Sequence, residues 1–113
     1  MTLAEYILNS NEDEITVTDE CFDMETYFYP FDMEEKWDRA MQKLAEMLTV
    51  KEVNHGTAIV NLSEVIENNL QKLKKADLFT KCSLSAIMRS IEGIIAGNVS
   101  EEWFEIFVNT LEE

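Results

Sequence analysis

The chain has 113 residues, with 23 Asp and Glu against 9 Lys and Arg, for a formal net charge of −14. That length makes one domain with a modest core. The charge argues against direct nucleic-acid binding, which depends on clustered Lys and Arg. Three glycines and one proline, Pro30, argue against a flexible linker or a proline-rich ligand.

Thr2 and Glu5 have the capping-box spacing, and Leu3, Ile7 and Leu8 follow on one face, so a short helix is expected over about 3–9. Asn9-Ser-Asn11 ends it. Ile15 and Val17 alternate with Thr16 and Thr18, the pattern of a half-buried strand. Residues 19–23 read as a turn. A second strand follows over about 24–29, with Met24, Thr26 and Phe28 on one face and Glu25, Tyr27 and Tyr29 on the other. Pro30 stops it, having no ladder donor. Residues 14–29 are thus an antiparallel hairpin with one apolar face and one acidic, tyrosine-bearing face.

Asp32 and Glu35 repeat the capping spacing before Trp37, Ala40, Met41, Leu44 and Leu48, which predicts a helix over about 33–48. Asn54-His55-Gly56 signals a turn between strands at 49–54 and 57–61. Asn61 and Glu64 suggest a third cap, opening a helix over about 62–74, with Asp77-Leu78-Phe79 packing at its end. Ser83 is placed to cap a helix that turns Leu84, Ile87, Met88, Ile91 and Ile95 inward and stops at Gly97-Asn98. Ser100 caps the last helix, with Val99 and Phe104 spaced for a hydrophobic staple. In that helix Trp103, Phe104, Ile106, Phe107 and Val108 are apolar over more than one face.

The expected fold is an α+β single domain over 1–113. It has a small antiparallel sheet of about four strands in two hairpins, packed with about five helices. Residues 1–61 are mixed α/β and contain the acidic hairpin; residues 62–113 are helical.

Catalytic chemistry finds little support. The one histidine, His55, falls in a turn. Cys21 and Cys82 are distant in sequence, and two free thiols are expected. No CxxC or HxxxH spacing suggests a metal site. Asp13–Glu25 and Asp19–Asp32 lack the ligand alternation and central glycine of a calcium loop. With only Gly56, Gly93 and Gly97 there is no phosphate loop. No enzyme activity, metal or cofactor is expected. The N-terminus has no basic leader, and the apolar runs fall short of the ~20 residues that span a bilayer. A cytoplasmic protein that does not engage membranes is expected.

The distribution of charge is the strongest signal. Eleven of the acids lie in the first 35 residues, where there is no Lys or Arg. Phe22, Tyr27, Phe28, Tyr29 and Phe31 are threaded among them, unlike the aromatic-poor composition of a disordered acidic tail. Alternate strand residues repeat every ~6.5–7 Å, so carboxylates at that pitch make a line of charge. Duplex DNA carries one charge per ~3.4 Å of each strand. Asp19, Glu20, Asp23, Glu25, Asp32 and Glu34, with Tyr27 and Tyr29 as rigid contact area, are the expected partner-binding residues.

Thr16-Val-Thr-Asp-Glu-Cys-Phe-Asp-Met-Glu-Thr-Tyr-Phe-Tyr29, Trp37-Asp-Arg-Ala-Met41 and Val99-Ser-Glu-Glu-Trp103 resemble segments of small acidic proteins encoded by phages and mobile elements of Gram-positive bacteria. The resemblance covers most of the chain and contains no catalytic motif. It implies an anti-CRISPR-like inhibitor whose partner is a CRISPR effector nuclease, acting in the host-cell cytoplasm if phage-encoded. The expected mechanism is occupancy of a basic nucleic-acid groove. The alternative is a non-catalytic structural or regulatory module of a phage or plasmid, homodimeric through its C-terminal helices.

Overall fold

The computed structural model describes residues 1–21, 25–76, 78 and 99–113. Its elements are α1 (Leu3–Leu8), β1 (Ile15–Asp19), β2 (Glu25–Phe28), α2 (Lys36–Met47), β3 (Val50–Asn54), β4 (Thr57–Val60), α3 (Leu62–Asn68), α4 (Leu70–Lys75) and α5 (Glu101–Glu112). The expected helix after Ser83, its Gly97-Asn98 stop, and Cys82 lie outside the described residues, as do Asp77 and Phe79.

Both hairpins form. β1 pairs antiparallel with β2, Val17 opposite Thr26. β3 pairs antiparallel with β4 through a two-residue turn in which His55 (φ 51°) and Gly56 (φ 83°) both take positive φ. That double left-handed geometry matches the twist of flanking strands. The hairpins join through a parallel pairing of β1 with β4, Val17 opposite Ala58. The sheet order is therefore β2-β1-β4-β3, and the sheet is mixed, not wholly antiparallel. A parallel neighbour needs a crossover, and here the crossover contains β2, α2 and β3.

Sheet parity decides what is buried. Ile15, Val17, Phe28, Ala58 and Val60 point to one face and are buried with Ala40, Leu44, Ala45 and Leu48 from α2 and its end. A void of about 20 Å³ lies between this face and α2, lined by Val17, Phe28, Met41, Leu44 and Val60 among others. α5 packs on α2 in turn. Trp37 meets Phe104 with ring centroids 4.6 Å apart. Lys36 pairs with Glu105 and Lys43 with Glu112. Both partners advance by seven residues, so the two helices run parallel.

The apolar excess of α5 is mostly internal. Phe104, Phe107, Val108 and Leu111 are buried, and Trp103 stacks on Phe107 at 5.2 Å. Ile106 alone among these stays outside, at 52% exposure. A single exposed aliphatic is ordinary for a monomer surface.

Two of the local caps form where their spacing places them. Thr2 and Glu5 make a reciprocal capping box. The Thr2 backbone N–H donates to the Glu5 carboxylate and, as the largest cause, holds its pKa below the ordinary value. Ser100 Oγ accepts from Trp103 N–H at 3.2 Å. Two other helix starts among the described residues differ, and Ser83 lies outside them. α2 begins at Lys36, and Glu35 makes no side-chain capping bond. The predicted 62–74 helix is interrupted at Asn69, whose side-chain amide donates to the Val65 carbonyl at 2.7 Å. Local side-chain bonds of this kind compete with the helix ladder. Among the described residues, no helix is long and apolar enough to cross a membrane.

Candidate partner-binding face

The outward face of the sheet follows from the same parity that builds the core. Cross-strand register sets out two rows, Tyr27–Thr16–Thr57–Asn54 and Glu25–Thr18–Ile59–Glu52. Glu25 and Tyr27 are exposed, as expected from the alternation. Tyr29 lies just beyond the strand and is also exposed. The row ends on Glu52 of β3, an acid that the sequence reading did not select.

Glu14 is a second missed residue. It stands beside Tyr29 because Ile15 pairs with Phe28, and the Tyr29 hydroxyl donates to its carboxylate at 3.3 Å. The negative charge of Glu14 is the largest cause raising the Tyr29 pKa; desolvation, the hydrogen bond and Tyr27 act the same way. A raised phenol pKa means the hydroxyl keeps its proton to higher pH than an ordinary tyrosine. Glu14→Gln is expected to bring the Tyr29 ionisation back down, as read by ultraviolet titration. An unchanged midpoint would refute the pairing.

Asp19 requires a correction. It is 1% exposed and is not available to a partner. Its alternation with Ile15 and Val17 turns it to the inner face, a signal already present in the period-2 pattern. Its Oδ1 accepts from Ser63 N–H at 2.8 Å. Its Oδ2 accepts from Cys21 N–H at 3.0 Å and from the Ser63 hydroxyl. Asp19 thus satisfies donors in the first turn of α3 and in the turn after β1. The expected Asn61 cap is displaced: Asn61 makes no capping bond to α3, and its Oδ1 accepts from Thr49 N–H at 2.7 Å instead.

The remaining acids divide along the hairpin. Glu20 is exposed at the turn end, with its backbone N–H donating to the Val60 carbonyl. Asp23 lies outside the described residues. Asp32 and Glu34 are exposed at the other end, in a tight turn before α2. Asp32 accepts from Glu34 N–H at 3.0 Å through Oδ1. The Asp32 N–H donates to Asp38 at 2.8 Å. Arg39 donates to the Met33 and Glu34 carbonyls. These bonds replace the expected Asp32–Glu35 box and hold the loop from the α2 side.

None of the described acids among the first 35 residues is in an ion pair. The salt bridges among the described residues use Glu64, Glu105 and Glu112. Among the described residues, then, no Lys or Arg side chain pairs with the acids of the hairpin. Cys21 is an exposed free thiol, and His55 is exposed at its turn. Among the described residues no group of three His, Cys, Asp or Glu side chains is arranged to hold a metal.

Comparison with family models, with curated proteins and with solved structures gives no match.

Proposed function

We propose that this chain is a non-catalytic acidic inhibitor that docks its hairpin face into a Lys- and Arg-lined nucleic-acid groove of a protein partner. The partner class, from the sequence resemblance, is an RNA-guided nuclease. The observation that supports this reading is the set of exposed, ion-pair-free carboxylates Glu14, Glu20, Glu25, Asp32 and Glu34 around the exposed Tyr27 and Tyr29. Charges left unpaired within the chain raise the field outside it and steer a partner of opposite sign. Tyrosines beside them add rigid contact area, as at interface hot spots. A surface serving solubility alone usually intersperses both signs.

The test is DNA cleavage by a panel of RNA-guided nucleases, with and without the protein, across ionic strength. The Debye length falls from ~10 Å at 0.1 M salt to ~3 Å at 1 M. Inhibition is expected to weaken as salt rises, while cleavage without the protein serves as the baseline at each salt. No inhibition across the panel, or inhibition indifferent to salt, would overturn the reading. A dimer held through α5 would instead show as a salt-insensitive oligomer by light scattering, lost on Ile106→Lys.

A further inference from the structure

The C-terminal end of α1 and the Pro30–Met33 loop enclose, with Gln42 of α2, a groove of about 380 Å³. Leu8, Pro30, Phe31 and Met33 form its apolar walls, and Glu12 lines it as well. Leu8, at 72% exposure, is the most exposed large apolar side chain among the described residues, and Met33 is 51% exposed. Clefts of ~300–1,000 Å³ are the size that seats ligands.

Two observations distinguish this groove from a chance dent. Its loop wall is held in place by the Asp38 and Arg39 bonds already described, so little ordering is needed on binding. Its rim has one sign of charge. Glu12 lines it, and Asp32 and Glu34 flank Met33, all three exposed and in no ion pair. The cation bonded to this loop, Arg39, has its guanidinium on the Met33 and Glu34 carbonyls.

We propose that the groove seats one large aliphatic side chain presented by a Lys- or Arg-flanked segment of a protein partner. The proposal rests on reading the acidic hairpin as a docking surface and adds its anchor. Acids alone would attract any basic surface. An apolar pocket inside an acidic rim selects a basic segment carrying an aliphatic residue, because that residue is desolvated as its neighbours pair.

The probes are two synthetic peptides, Lys-Arg-Leu-Arg-Lys and Lys-Arg-Gly-Arg-Lys, titrated into the full chain. Affinity is read by titration calorimetry at low and high salt, and the methyl resonances of Leu8 and Met33 locate the contact in the unmodified chain. The leucine peptide is expected to bind roughly tenfold tighter, about 1.4 kcal/mol. In Leu8→Ser/Met33→Ser that preference disappears, while salt-sensitive binding of both peptides remains. Both side chains are largely exposed, so the fold should persist; a thermal melt checks this, and Leu8→Ser alone is the milder variant. Equal affinity of the two peptides for the unmodified chain would overturn the anchor and leave the acidic face standing. Binding of neither peptide at low salt would count against both. Shifts of the same methyls with protein concentration alone would place a second copy in the groove and overturn the proposal.

Discussion

Asp19→Ala is expected to destabilise the protein by about 3 kcal/mol, which for a domain of this size lowers Tm by roughly 10–15 °C. The carboxylate is buried and accepts from Ser63 N–H, Cys21 N–H and the Ser63 hydroxyl. Alanine removes the acceptor and leaves those part-buried donors without it. Each buried donor left unsatisfied costs ~1–3 kcal/mol, and loss of a helix cap alone costs ~0.5–2. Part of the sum is recovered where water enters. Asp19→Asn keeps the shape and one acceptor oxygen, so about half the loss is expected. Ser63→Ala removes only the hydroxyl donor and should cost least. Urea unfolding of these variants orders the effects. If Asp19→Ala lay within about 0.5 kcal/mol of the unmodified chain, the range of an ordinary surface change, the internal cap would be refuted. A loss of partner binding in Asp19 variants would report damage to the fold and not a lost contact.

Reversing Glu20, Glu25 and Glu34 to Lys together is expected to weaken partner binding or inhibition by at least about a hundredfold. All three side chains are exposed and make no side-chain hydrogen bond or ion pair. Each reversal replaces attraction to a basic groove with repulsion from it. Folding should not suffer. Removing like charge relieves self-repulsion in a chain of net charge −14, so Tm should be unchanged or slightly raised. The matched control reverses Glu67, Glu101 and Glu102, exposed acids on α3 and α5. Loss confined to the hairpin set would assign binding to that face. Equal loss in the control would mean that net charge, not the hairpin, governs association. Full activity of the hairpin variant would remove the acid-face mechanism.

Much of the geometry around the candidate face was legible because its logic is local. Tyr27 and Glu25 lie outside and Phe28 inside because a strand alternates every residue, and the core side of β1 and β2 follows from that period alone. β2 ends at Phe28, two residues before Pro30, and His55-Gly56 turns where the sequence places it. The Thr2–Glu5 and Ser100 caps form because donor and acceptor are three residues apart on one turn. The concentration of acid in the first 35 residues is likewise a property of composition.

What the chain folds against was not legible in this way. Asp19 looked like one acid among eleven, although its parity with Ile15 and Val17 already set it inward. Its partner Ser63 is 44 residues away, beyond any local spacing rule. The same holds for Asn61, which serves Thr49 across the β3–β4 hairpin instead of its own helix. The Asp32–Glu35 spacing was correct for a box, yet Asp38 and Arg39 bond the loop instead. By itself, then, the sequence determined the two hairpins, the helices α1, α2 and α5, which strand faces are apolar, and where the negative charge lies. Those features depend on periodicity, turn geometry and caps within a few residues. Only the tertiary structure decided that β1 lies parallel to β4, that Asp19 is an internal cap, and that Leu8 and Met33 meet across one groove. Each of those depends on which distant donor or surface reaches a group once the backbone is packed.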